Sequence, residues 1–190
     1  GVRIVPLGWV GAAFCLATIG ATSMMYGQLK TVPRWRHWTT PLLFFAYGLG
    51  GGALLAGQIA AAIVLIALAG VVQVLAWYLG DKALAATGSD TGTATGLWPR
   101  GEVRAFESPH TGPNYLTREM VFVIGRKRST QLRVISLILA ILFPIAVLVI
   151  VPGHVFAALA IISHVLGVLT ARWLFFAEAE HVVGLFYGAL

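Results

Sequence analysis

Arg172-Trp173-Leu174-Phe175-Phe176-Ala177-Glu178-Ala179-Glu180-His181-Val182-Val183-Gly184-Leu185-Phe186-Tyr187-Gly188 follows a run, Val155–Thr170, that is almost purely apolar. The apolar run is long enough to cross hydrocarbon, and the Arg-Trp pair, the carboxylates Glu178 and Glu180 and His181 mark its exit into a polar interface. Reading outward from there, the whole chain has the same character. Of its 190 residues 58% are hydrophobic and 11% charged, with a mean hydropathy of +0.86. Soluble domains carry roughly 25% charged residues, so the composition predicts an all-α, multi-span transmembrane bundle. The lone Cys15 excludes a disulfide framework and a cysteine-ligated cluster within this chain alone. The net charge of +6 reflects membrane topology rather than nucleic-acid binding, because the bases sit in loops between apolar runs.

Five spans are expected. The first runs from about Val5 to Leu29, too long for the apolar core of a signal peptide; the absence of a starting methionine suggests that N-terminal sequence is missing. Gly8/Ala12 and Ala17/Ala21 form small-xxx-small pairs suited to close helix contact. Trp35 and Trp38, among Lys30, Arg34, Arg36 and His37, read as an aromatic belt with snorkelling bases. Thr40 is the expected cap of span two, with Pro41 at its first helical position. The apolar sequence from Pro41 to Leu79 would form a helix of about 58 Å, longer than any bilayer is thick. A turn is therefore placed at Gly57-Gln58, giving spans Pro41–Ala56 and Ile59–Gly80, with Gly48, Gly52 and Ala56 as a ridge for a neighbouring helix. Span four is Leu132–Val151, kinked at Pro144, and span five follows Pro152-Gly153 and runs from Val155 to about Phe176. The chain thus divides into spans one to three (1–80), a long loop (81–131), and spans four and five with the exit segment (132–190).

Within the loop, Ala85–Gly96 reads as a flexible linker rich in Gly, Ser and Thr. Leu116, Met120, Val123 and Ile124 recur at helical spacing before Arg126-Lys127-Arg128, an amphipathic segment that would lie on the interface or dock a partner. Twelve of the thirteen Lys and Arg residues fall on one side of the five-span topology, which predicts a cytoplasmic long loop and C-terminus.

No Walker loop, Rossmann glycine pattern, HExxH or CxxC is present. The titratable groups within spans are His164 and, near an end, Arg172. His164 is read as a core histidine bonded to Ser163 or a carbonyl, with a quinone or proton contact as the functional alternative. Bis-histidine haem held by this chain alone is not expected, because no other span carries a histidine at that depth. Glu178 and His181 are expected to meet one helical turn apart, and Trp173, Glu180 and Tyr187 to share a face. That exit set reads equally as interface anchors or as a proton path or docking surface for a redox subunit.

Three stretches, taken in order, resemble the membrane-anchor subunit of the dimethyl sulfoxide reductase family. They are Ser23-Met24-Met25-Tyr26 with Pro33-Arg34-Trp35; Leu116-Thr117-Arg118-Glu119-Met120-Val121-Phe122 leading to Arg126-Lys127-Arg128 and Leu132-Arg133; and Arg172 to Ala179 through His181 and Tyr187-Gly188. The resemblance implies the C-terminal part of an anchor of about eight spans in the bacterial cytoplasmic membrane. Such an anchor binds an iron–sulfur subunit and a molybdopterin catalytic subunit and exchanges electrons with menaquinone or ubiquinone; similar anchors serve sulfite dehydrogenases. On that reading Arg118, Glu119, Arg126, Lys127, Arg128 and Arg172 are the expected partner contacts, and His164, Glu178, Glu180 and His181 the quinone or proton candidates. No metal ligand is expected. A transporter or channel subunit is the alternative, disfavoured because Pro144 and the Gly48–Gly52 run are not in corresponding positions of two repeats.

Overall fold

The computed structural model describes residues 5–98, 101–104, 106–107, 127–151 and 153–186. Those residues form helices α1 (Val5–Gly27), α2 (Thr39–Leu55), α3 (Ile59–Gly80), α4 (Ala83–Ala86), α5 (Thr91–Thr95), α6 (Ser129–Ile150), α7 (His154–Ala177) and α8 (Val183–Phe186), with no strand among them. Four of these, α1, α3, α6 and α7, are long and apolar enough to cross a membrane, and α2 is a shorter apolar helix of 17 residues. The protein is a multi-span membrane helical bundle. Helices α2, α3, α6 and α7 pack around a common core of Leu43, Tyr47, Leu54, Ile66, Ile141 and small residues, and α1 lies outside against α2.

The α2–α3 hairpin forms where the length argument requires it. Gly57 takes φ +70°, and the Gly57 and Gln58 amides return to the Leu54 and Ala53 carbonyls, at 3.1 and 3.0 Å. A residue with a Cβ pays a steric penalty at that φ, so glycine ends α2 there. Other local expectations are corrected. Helix α2 begins at Thr39 without a side-chain cap, because the Thr40 hydroxyl instead donates to the Trp35 carbonyl at 2.8 Å. The small-residue contacts sit in another register. Ile19 packs over Gly48, but Gly52 and Gly8 face open space, whereas Gly50 meets Ile66 and Gly51 lies beside His164. The expected linker Ala85–Gly96 holds structure instead, with α4 overlapping its start at Ala85 and Ala86 and α5 lying within it. The latter is closed by a capping box in which Asp90 Oδ1 accepts from the Thr93 amide and Thr93 Oγ1 from the Asp90 amide.

Pro144 acts through its neighbours. Lacking an N–H, it leaves the carbonyl of Ala140, four residues earlier, without its helical donor. Helix α6 widens into a π turn at Ile138–Leu142 just before it. A freed carbonyl inside a bundle must find another donor, and α7 supplies two. Ser163 Oγ donates to the Leu139 carbonyl at 2.8 Å, and His164 Nδ1 donates to the Ala140 carbonyl at 2.6 Å. Gly167, one turn on, lets the backbones touch: a Cβ there would lie 2.6 Å from Ala140 Cα. The proline thus produces an inter-helix seam as well as a local π turn.

Candidate functional site

The ends of α3, α6 and α7 and the α1–α2 loop meet at one face, and their charges are joined. Arg133, in the first turns of α6, donates from Nη1 and Nη2 to both oxygens of Asp81 at 2.7 and 2.6 Å, and from Nε to Glu178 Oε1 at 2.7 Å. Arg34, from the α1–α2 loop, donates to Asp81 Oδ1 at 2.8 Å, and its Nη1 lies 3.8 Å from Glu178 Oε2. Two carboxylates at the C-terminal ends of helices would be disfavoured alone, and the two guanidiniums compensate them. The Arg133–Asp81 pair is bidentate, the geometry that suits guanidinium and carboxylate best. Those bonds from Arg133, and secondarily from Arg34, outweigh partial burial and hold the Asp81 carboxyl at about 2, well below its usual range. Gly80 makes room for the crossing, since a Cβ there would meet Arg34 Nη1 at 3.0 Å.

Beneath the network lies a cavity of about 30 Å³ lined by Arg34, Thr39, Thr40, Gln73, Trp77 and Glu178, among others. Arg34 Nε and Nη1 are buried with no hydrogen-bond partner among the described residues. A polar void of that size accepts a water that would satisfy them. Gln73, buried in mid-bundle, accepts from the Tyr47 hydroxyl at 3.0 Å and carries polarity from this cavity toward the interior. Above the network an open cleft of about 340 Å³ is lined by Arg34, Asp81, Ser129, Thr130, Arg133, Glu178 and Glu180.

Beside the ion pairs stands an aromatic cluster. Trp35 stacks on Phe175 with ring centroids 5.1 Å apart, and its indole N–H donates to the Phe175 carbonyl at 2.9 Å. Tyr26 meets both rings edge-on. Trp35 is therefore a buried packing residue rather than part of a belt, whereas Trp38 is 57% exposed as a belt residue should be. The Arg172 guanidinium lies 4.1 Å from the Phe44 ring centroid and 4.3 Å from that of Phe175, a cation held by π faces.

The structure places the expected site residues unevenly. Glu178 is buried in the ion-pair network, Glu180 lines the cleft above it, and His181 sits edge-on to Trp35 at 5.9 Å. Helix α7 ends at Ala177, so Glu178 and His181 follow it rather than lying one turn apart on it; Tyr187, and with it the face expected to be shared by Trp173, Glu180 and Tyr187, lies outside the described residues. His164 lies far from this group, in the α6–α7 seam. Lys127 and Arg128 are exposed at the start of α6, while Arg118, Glu119 and Arg126 lie outside the described residues. Arg34, Asp81, Arg133, Gln73 and Tyr47 were not anticipated. Two of them were signalled: Asp81 is the first acid in the chain and falls where a span ends, and Gln73 is a lone amide within an apolar run. Among the described residues no group of three potential metal ligands converges.

Fold and face together define a membrane helical bundle whose polar end is closed by an ion-pair network. The chain is similar to a sulfite dehydrogenase subunit of Allochromatium vinosum, with 30% identity over 198 aligned positions that cover 95% of this chain. It spans 60% of that relative's length, so it is similar over nearly all of itself to part of an oxidoreductase subunit. No family model matches the chain, and no solved structure matches it.

Proposed function

We propose that this chain is a membrane-anchor subunit, or part of one, of a molybdopterin and iron–sulfur oxidoreductase of the sulfite dehydrogenase or dimethyl sulfoxide reductase type. In that role it sits in a bacterial cytoplasmic membrane and joins the quinone pool, menaquinone or ubiquinone, to an iron–sulfur subunit. The observation that carries the reading is the face built by Arg34, Asp81, Arg133 and Glu178, which locks four elements into one rigid polar surface. The similarity to a sulfite dehydrogenase subunit supports it. A rigid surface with an apolar, aromatic centre and a charged rim suits a soluble partner. Exposed Lys127 and Arg128 and the open cleft with Glu180 supply that rim.

The internal cavity does not fit a quinone ring: about 30 Å³ admits a water and is far below the roughly 300 Å³ at the small end of ligand pockets. No quinone contact is assigned to it. This chain's own part in the reading is to hold the partner and to carry polarity from Glu178 through Gln73 to Tyr47.

The test is purification of the tagged chain from its native membrane in mild detergent. Molybdenum and iron should co-purify with it, and the complex should show quinol- or quinone-linked turnover. A chain that purifies without either metal and conducts ions in liposomes would replace this reading with a channel.

A further inference from the structure

At the same end of the bundle, on the lipid-facing side of α3, two features adjoin that the partner face does not use. The first is a pocket of about 380 Å³ with Lys30, Arg36, His37 and Lys82 in its wall and no acidic residue among its lining residues. Lys30, Arg36 and Lys82 are all exposed, so each can turn toward a bound anion. The second is an almost wholly apolar groove of about 750 Å³ between α3 and α6, lined by Gly70, Val71, Val74, Tyr78, Ile141 and Ile145 among others. One helical turn links them. Tyr78 lines the groove, and Lys82, in the basic pocket, sets its Nζ 3.8 Å from the Tyr78 ring centroid.

We propose that this pair is the binding site of one anionic phospholipid. Its phosphodiester head lies among Lys30, Arg36 and Lys82, and one acyl chain runs along the α3–α6 groove. Charge complementarity selects the head, since three bases in one concavity at a membrane interface attract an anion. Depth selects the tail, since the groove lies along the membrane-spanning part of α3, where hydrocarbon is the surrounding medium. Tyr78, 58% exposed, stands between the two halves of the site, where an aromatic side chain suits the headgroup level. An acidic peptide would match the pocket but leave the groove empty.

The experiment is native mass spectrometry of the intact complex in detergent, titrated with dioleoyl phosphatidylglycerol or with dioleoyl phosphatidylcholine. Phosphatidylglycerol should be retained at least tenfold more tightly, and K30A, R36A and K82A should each weaken it by about fivefold. V71W should also weaken it by filling the groove from an exposed position, without lowering the melting temperature. Equal retention of the two lipids, or no loss in the R36A/K82A double variant, overturns the site. Undiminished binding in V71W, or displacement of the lipid by millimolar inorganic phosphate, reduces it to a simple anion site and overturns the lipid assignment.

Discussion

Glu178 and Asp81 share the same two guanidiniums, yet they differ in exposure: the Glu178 side chain is 5% exposed and that of Asp81 44%. Removing a buried charge strands its partners, whereas an exposed one is replaced by water. Glu178→Gln should therefore cost on the order of 3 kcal/mol and Asp81→Asn about 1 kcal/mol or less, read as an ordered loss of melting temperature in nanodiscs. Equal losses would mean that water already screens Glu178. Asp81 also predicts a pH response. Its folded value of about 2 lies below the unfolded 3.8, so its contribution is complete above about pH 4 and is lost as pH falls through about 2. Wild-type melting temperature should fall more steeply than that of Asp81→Asn over that interval. The expectation that Glu178 would be functional came from its place at a span exit, but its partners could not be read there. Arg34 and Arg133 lie 144 and 45 positions away in sequence, and only packing brings them to it.

Helices α6 and α7 show how one residue type propagates into an interface. Pro144 was read as a kink, and His164 as a core histidine bonded to Ser163 or to a carbonyl. What joined them was the identity of that carbonyl, Ala140, four residues before the proline. Two predictions belong to this seam. Gly167→Ala should destabilise by about 3 kcal/mol, the upper part of the usual overpacking range, because its Cβ would overlap the Ala140 backbone. Gly52→Ala, in open space on α2, should instead be neutral or stabilise by up to about 1 kcal/mol. Denaturant unfolding of the two variants checks the contrast. His164→Ala should cost about 1–3 kcal/mol by leaving a buried carbonyl unpaired. The absorbance spectrum of the complex should not change in this variant, since haem held by this chain is not expected. A b-type band lost with His164 would make that residue a ligand instead.

At the scale of the molecule, the ion-pair network shows that the α1–α2 loop, the end of α3, the start of α6 and the end of α7 share one end, and bases among the described residues gather there. The positive-inside rule then predicts that this end faces the cytoplasm. Ala86 is exposed just beyond α3 and Cys15 is the chain's single cysteine, so Ala86→Cys in a Cys15→Ala background gives a clean probe. A membrane-impermeant maleimide should label it in inverted vesicles and not in intact cells. Labelling in intact cells would invert the topology and move the proposed partner to the other side.

Hydropathy and helix length were enough, from the sequence alone, to establish a membrane bundle, to place its spans within a few residues and to put a turn at Gly57. Each of those depends on a local quantity, the free energy of a segment in hydrocarbon or the reach of a helix against a bilayer. Small residues were readable as candidates for close approach, but not which of them would be used. Gly8 and Gly52 stand in open space while Gly50 and Gly167 carry the contacts, because helix rotation is set by all the neighbours at once. The candidate site was legible only as a set of polar residues near one exit. Its pairing belongs to tertiary structure, since a charge at a span end can be met by water, lipid or any base on the same face. The choice of Arg34 and Arg133 follows from four helix ends arriving at one place.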